Sequence, residues 1–244
     1  MAGGSPRRSS RRARPEARAV ADARVSKLAL STAGQLTLEP DERLELYPGA
    51  FLLRGFAARE HECLRAELEA VTVAAPFRHM QTPGGFRMSV AMTNCGAMGW
   101  VSDATGYRYS ELDPSSGLRW PAMPAAFASL ARRAAAAAGY SGFAPNACLV
   151  NRYEPGARLT LHQDKDERDF SQPIVSVSLG VPAVFLFGGL KRKERPLRLT
   201  LVHGDVVVFG GPSRLRYHGV AALELAQHAF AGQARVNLTL RRAS

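Results

Sequence analysis

The sequence predicts an α+β domain that is mainly β, with two helices followed by an all-β half. Two observations carry this. After Pro145, about eight short apolar runs alternate with turn residues, at the 8–12-residue spacing of a sandwich or barrel. Before it, two segments set their apolar residues at helical spacing, and no internal repeat divides the chain.

The elements follow in order. Residues 1–40 are rich in Arg, Ala and Ser, with Pro6, Pro15 and Pro40, and read as a flexible basic tail. The folded body begins near Leu44, and 41–244 is expected to form one domain. Ala50–Phe56 reads as a first strand. Arg59 to about Ala74 places Cys63, Leu64, Leu68 and Val71 at helical spacing. Residues 76–122 are punctuated by Pro83-Gly84-Gly85, Asn94-Cys95-Gly96, Gly106, Pro114 and Gly117. Phe86, Met88, Met92, Trp100, Tyr107, Tyr109 and Trp120 lie between these turns. A long, turn-rich, aromatic segment is expected to form a binding lid rather than a core layer. A second helix runs from Pro124 to Ala138, with Gly139 just past its end. The strands are expected at 147–153, 159–162, 174–180, 183–187, 197–202, 205–209, 215–218 and 235–241.

Composition narrows the class. The chain has 244 residues, 46% hydrophobic and 22% charged, as in a globular protein. Charge, Gly or Pro interrupts every apolar stretch well short of a membrane span, so no membrane partner is expected. The net charge is +11, but seven Arg and Lys27 against Glu16 and Asp22 place an excess of six within residues 1–27. A basic excess points to nucleic acid or another anionic surface, weakly when half of it sits in a tail. Cys63, Cys95 and Cys148 fit neither a disulfide framework nor a zinc knuckle, which implies a reducing, cytoplasmic setting. The acid-poor N-terminus also fits a transit peptide, a reading ranked below an ordinary tail.

The chemistry lies on the strands. His162-Gln163-Asp164 puts two ligand-type side chains at i and i+2, on one face and roughly 6.5 Å apart at ~3.3 Å per residue. A second His-x-Asp, His203-Gly204-Asp205, falls between two apolar runs and reads as hairpin turn chemistry. His218 could complete a set of two His and one carboxylate, the facial triad of non-haem Fe(II) oxygenases; alone it could equally be a core histidine. In the last strand Arg235, Asn237, Thr239 and Arg241 share one face, and Val236, Leu238 and Leu240 the other. A polar strand face is often simply solvated. Two arginine forks, with Asn151 and Tyr153 at i and i+2 on another strand, instead suit a ligand with two carboxylates, and with the triad they describe a 2-oxoglutarate site.

These residues resemble the AlkB family of Fe(II)/2-oxoglutarate-dependent nucleic-acid dealkylating dioxygenases. The stretches that carry the resemblance include Thr82-Pro83-Gly84-Gly85, Met88–Gly96, Asn151-Arg152-Tyr153, His162–Glu167, Ile174–Gly180, Phe187–Arg192, His203–Val208, Tyr217-His218-Gly219 and Arg235–Arg241. They run from about Leu46 onward. The resemblance implies a double-stranded β-helix (jelly roll) core over 146–244, with N-terminal helices and a nucleotide-recognition lid over 76–122. It implies Fe(II) on His162, Asp164 and His218. 2-Oxoglutarate would be held by Arg235 with Tyr153 and Asn151, and by Arg241 near its C1 end, supported by Asn237 and Thr239. The implied reaction oxidises an alkyl group on a damaged base with O2, releasing succinate, CO2 and formaldehyde. Trp100 would stack on the flipped base against His162, and Asp166 would face its exocyclic edge. Tyr107, Thr82, Met92 and Arg192 would be lid and rim contacts. The implied partner is alkylated DNA, preferably single-stranded, with RNA as a second candidate, and the enzyme would act as a monomer. Phe86, Ala104 and Phe209 depart from the family's Tyr, basic residue and Trp. Two rival readings are an inactive nucleic-acid-binding jelly roll and an oxygenase acting on protein or a small molecule.

Overall fold

The computed structural model describes Met1 and residues 42–244; the basic tail expected over 1–40 lies outside the described residues. Strands β1 (Arg43–Tyr47) and β2 (Ala50–Leu53) lead through a 3-10 turn into helix α1 (His61–Ala74). Then come β3 (Arg78–Gln81), β4 (Arg87–Gly96), β5 (Gly99–Asp103), β6 (Gly106–Ser110) and helix α2 (Ala125–Ala137). The remaining strands are β7 (Ala147–Tyr153), β8 (Leu159–His162), β9 (Ile174–Gly180), β10 (Ala183–Phe187), β11 (Leu197–Leu201), β12 (Val206–Phe209), β13 (His218–Val220) and β14 (Arg235–Arg241). Among the described residues, no helix is long and apolar enough to cross a membrane.

An eight-stranded sheet in the order β1-β2-β12-β9-β14-β7-β4-β3 faces a four-stranded sheet, β11-β10-β13-β8, and β5 and β6 form a separate hairpin. The large sheet is covered on both sides, and the two-residue period of its strands decides what goes where. Val236, Leu238 and Leu240 of β14, Cys148 and Val150 of β7, and Val175, Val177 and Leu179 of β9 pack with α1 and α2. The opposite faces send Leu149, Tyr153, Ile174, Val207 and Phe209 against Phe185, Phe187, Leu201 and Val220 of the small sheet. This antiparallel two-sheet packing is the jelly roll that the family resemblance implies, within the sandwich or barrel class that the strand spacing predicts. The helices bury most of what their spacing groups together: Leu64, Leu68 and Val71 of α1 and Phe127, Leu130, Ala131 and Ala134 of α2 are buried, whereas Cys63, grouped with the α1 residues by spacing, is exposed. Gly139, at φ +91°, ends α2.

The structure corrects three boundaries. The expected strand Ala50–Phe56 ends at Leu53 and pairs with an unexpected β1. The strand expected at 215–218 instead starts at His218 and runs to Val220. The segment 76–122 is not wholly a lid, because β4 is a ten-residue strand of the large sheet, paired with β7 from Ala91 to Gly96. Its Thr93 and Asn94 are buried yet satisfied. Thr93 Oγ1 donates to Ala75 O at 2.7 Å, and the Asn94 side chain brackets the Trp100 backbone at 2.9 and 3.0 Å.

The second His-x-Asp is structural, as its turn chemistry predicts. The Asp205 carboxylate accepts from Arg54 Nη1 at 2.6 Å, Gly55 N at 3.0 Å and Val202 N at 2.9 Å. Gly204 sits at φ +89°, where an added Cβ would lie 2.8 Å from the Ala58 backbone nitrogen. Gly204→Ala is therefore expected to cost on the order of 1–3 kcal/mol. Urea unfolding checks this, with a lower midpoint and an unchanged slope.

Candidate active site

A cavity of about 460 Å³ opens between the two sheets and under the β5–β6 hairpin. Its floor is the polar face of β14 with Asn151 and Tyr153 of β7. One wall is His162 and His218, and the rim holds Trp100, Tyr107, Asp166 and Arg192.

The histidine and aspartate cluster is set by strand pairing. His162 ends β8, His218 begins β13, and the two are register partners. Asp164 lies two residues beyond His162, just past the strand end rather than within it. Its carboxylate oxygens are each 3.6 Å from an imidazole Nε2, one from His162 and one from His218. All three ligand atoms fall within 4.8 Å of one another. Both Nδ1 atoms face backbone carbonyls, Thr160 O at 2.9 Å and Arg216 O at 3.1 Å. A neutral ring then carries its proton on Nδ1 and turns the Nε2 lone pair to the shared centre. Burial and the neighbouring His218 push the His162 pKa down to about 4, so its ring is neutral at pH 7. Burial opposes the charge on Asp164, but Arg241, His218 and His162 together hold that carboxyl well below its usual range. Two imidazoles with their Nε2 atoms at a common point, and one carboxylate, form a donor set that fits a divalent transition metal.

The two arginines of β14 differ. Arg241 donates to Asp164 Oδ2 from Nη2 at 2.6 Å and from Nε at 3.0 Å. Its Nε also lies 3.4 Å from Glu167 Oε1. Arg241 is thus engaged by carboxylates of the chain itself. Arg235 is fully buried and has only the Ser178 hydroxyl, at 3.0 Å from Nη2. Its Nε and Nη1, together with Asn151 Oδ1, are the buried side-chain polar atoms without a partner among the described residues. The Tyr153 ring lies 5.1 Å from the Arg235 guanidinium carbon. A buried cation with unmatched donors fits one carboxylate of 2-oxoglutarate. Asn237 and Thr239 are occupied with each other at 2.8 Å, and Asn237 reaches Ser176 Oγ at 2.9 Å, so they brace the floor.

At the rim, Trp100 stacks on Tyr107, with ring centroids 5.6 Å apart and planes at 13°. Its Nε1 donates to Asp166 Oδ2 at 2.8 Å. Thr82 Oγ1 accepts from Phe86 N at 3.2 Å in the β3–β4 turn, and Met92 is a core residue whose side chain reaches the cavity wall. Arg192 is exposed on the β10–β11 connection. Phe209 meets His218 edge-on at 5.1 Å, while Phe86 and Ala104 are exposed at turns. Glu167, Arg214 and Tyr109 emerge only from the fold. Glu167 accepts from Tyr109 Oη at 2.6 Å and from Arg214 Nη2 at 2.9 Å. Arg214 Nη1 also holds the Asp164 carbonyl at 2.8 Å. Burial pushes the Tyr109 phenol well up, so it keeps its proton and donates.

Fold and site together define a 2OG-Fe(II) oxygenase. Residues 49–241 match the profile of the 2OG-Fe(II) oxygenase superfamily. The chain is 57% identical over 199 residues to the alpha-ketoglutarate-dependent dioxygenase AlkB of Salmonella typhimurium, spanning 82% of this chain and 92% of that protein. It is 38% identical over 122 residues to the mouse nucleic acid dioxygenase ALKBH1, covering 50% of this chain and 31% of that protein. A solved structure, "The structure of OsALKBH1", superimposes with a TM-score of 0.72 at 28% identity, covering 82% of this chain and all of that one. The chain belongs to the AlkB family within this superfamily, and it is an α-ketoglutarate-dependent dioxygenase that uses Fe(II), 2-oxoglutarate and O2.

The unmatched guanidinium predicts a stability trade-off. Arg235→Met is expected to stabilise the ligand-free protein by about 1–3 kcal/mol, because it removes buried donors without acceptors. Thermal unfolding measures this, and 2-oxoglutarate, which stabilises the parent protein, is expected to give the variant little further protection.

Proposed function

We propose that this enzyme removes methyl groups from the ring nitrogens of nucleobases, of the 1-methyladenine and 3-methylcytosine type, in single-stranded DNA, with RNA as a second substrate. The observation that carries this reading is one cavity with two unlike ends. Inside lies a buried Arg235 with two unpartnered donor nitrogens beside a His-Asp-His cluster; at the mouth lies a Trp100 indole tied to an Asp166 carboxylate. The name of the mouse relative, a nucleic acid dioxygenase, supports the substrate class.

His162, Asp164 and His218 hold Fe(II). Arg235 binds the distal carboxylate of 2-oxoglutarate, with Tyr153 beneath the guanidinium and Asn151 as a further polar contact. Asn237 and Thr239 brace that floor, and Arg241 fixes Asp164 beside the C1 end. When bound, iron and 2-oxoglutarate supply the O2 activation that oxidises the methyl group, with succinate, CO2 and formaldehyde as the products. The protein's task is to present the methyl group and exclude water. An alkylated ring nitrogen lies inside the base stack, so the nucleotide enters flipped or from a single strand. Trp100 gives it a stacking plate facing His162. Asp166 favours the cationic methylated base over the neutral repaired one. Tyr107 backs the indole, Met92 and Thr82 line the wall, and Arg192 meets the phosphates. Residues 41–244 serve as one catalytic domain in which the β5–β6 hairpin and the β3–β4 turn form the lid. The enzyme works as a cytoplasmic monomer.

Release of formaldehyde and succinate from a single-stranded oligonucleotide carrying 1-methyladenine tests the reading. His162→Ala and Asp164→Ala are expected to reduce both to background. Trp100→Ala is expected to raise KM for the oligonucleotide roughly 5- to 150-fold, the equivalent of ~1–3 kcal/mol of base stacking. Succinate formation that ignores methylated nucleic acid and responds to a peptide or small molecule would sink the substrate assignment.

A further inference from the structure

The loop after β8 carries three carboxylates within four residues, Asp164, Asp166 and Glu167. Asp166 accepts from Trp100 and Glu167 from Tyr109, at 2.8 and 2.6 Å. Trp100 and Tyr109 are direct cross-strand partners in the β5–β6 hairpin. One pair of opposed residues thus docks the hairpin onto two successive carboxylates, immediately downstream of Asp164. The two contacts differ in setting. The Trp100–Asp166 bond is exposed, whereas the Glu167 side chain is 2% exposed and is also gripped by Arg214.

We propose that Glu167 is a positioning residue that couples the hairpin to Asp164, through the chain Tyr109–Glu167–Arg241–Asp164. The inference rests on the reading of Asp164 as an iron ligand. Arg241 Nε lies between two carboxylates, 3.0 Å from Asp164 Oδ2 and 3.4 Å from Glu167 Oε1. Its hold on one is set against its hold on the other. The Tyr109 proton satisfies part of Glu167 and leaves Arg241 leaning on Asp164. When the hairpin moves over a nucleotide, the Tyr109 hydroxyl moves with it. Glu167, kept in place by Arg214, then draws on Arg241 more strongly, and Asp164 becomes the freer ligand. Hairpin position is thereby read at the metal centre through charge rather than through contact.

Co(II) binding to the full chain in the presence of 2-oxoglutarate tests this, since its d–d absorption reports coordination without turnover. In the parent protein the bands are expected to shift when single-stranded oligonucleotide carrying 1-methyladenine is added. Tyr109→Phe, which retains the ring, is expected to alter the oligonucleotide-free spectrum and to lose at least half of the added shift. Glu167→Gln is expected to weaken Co(II) by about tenfold or more, as for other groups that orient metal ligands. Combining the two changes should have no further effect on the shift. A parent protein that binds no Co(II) would overturn the metal-site reading itself. A parent protein that binds Co(II) but shows no shift, or a Tyr109→Phe variant with the full shift, would overturn the coupling alone.

Discussion

Strand β14 is buried along its whole length and yet carries two arginines, an asparagine and a threonine. A guanidinium taken out of water requires acceptors in its place, and the way each arginine finds them decides the site. Arg241 is closed by Asp164 and Glu167, and so becomes scaffold for the cluster of His162, Asp164 and His218. Arg235 has a single hydroxyl and two unmatched nitrogens, and so keeps donors to spare. Two identical side chains six positions apart on one face thus stand in opposite hydrogen-bonding states, because the loop after β8 brings carboxylates to one and not to the other.

That burial is possible only because the large sheet is sandwiched. The helices seal one face with Leu64, Leu68, Phe127 and Leu130, which frees the other face for polar groups without exposing the core. The small sheet supplies the histidines from the opposite side. The cavity lies where apolar packing between the sheets gives way to Ser176, Ser178, Asn237 and Thr239; Ser176, Asn237 and Thr239 bond to one another, and Ser178 accepts one bond from Arg235. The polar floor is therefore part of the fold's own hydrogen-bond network.

The sequence was most legible where a single period governs. Arg235–Arg241 shows its two faces directly, and the metal-type pair His162 and Asp164 is apparent from spacing, as is the turn at His203-Gly204-Asp205. Features that depend on distant partners were not legible. β4 reads as loop because Thr93, Asn94 and Gly96 are polar or turn residues, and their bonds to Ala75 and Trp100 appear only after folding. The strand at His218 was misplaced because Arg216 and Tyr217 look like strand residues, yet only His218–Val220 pair with β8 and β10. Glu167 stood in a charged run with the outward look of a solvated turn. Arg214 and Tyr109, 47 and 58 residues away, turn that run into a buried hub.

The pairing of β8 adds one consequence. β8 is the edge strand of the small sheet, four residues long and joined only to β13 through an irregular register. Such an edge has few bonds to resist fraying. The two histidines lie directly opposite each other at its end, so an ion bound by both is also a cross-strand rivet. The metal then adds a tie across a seam where the small sheet has few hydrogen bonds of its own.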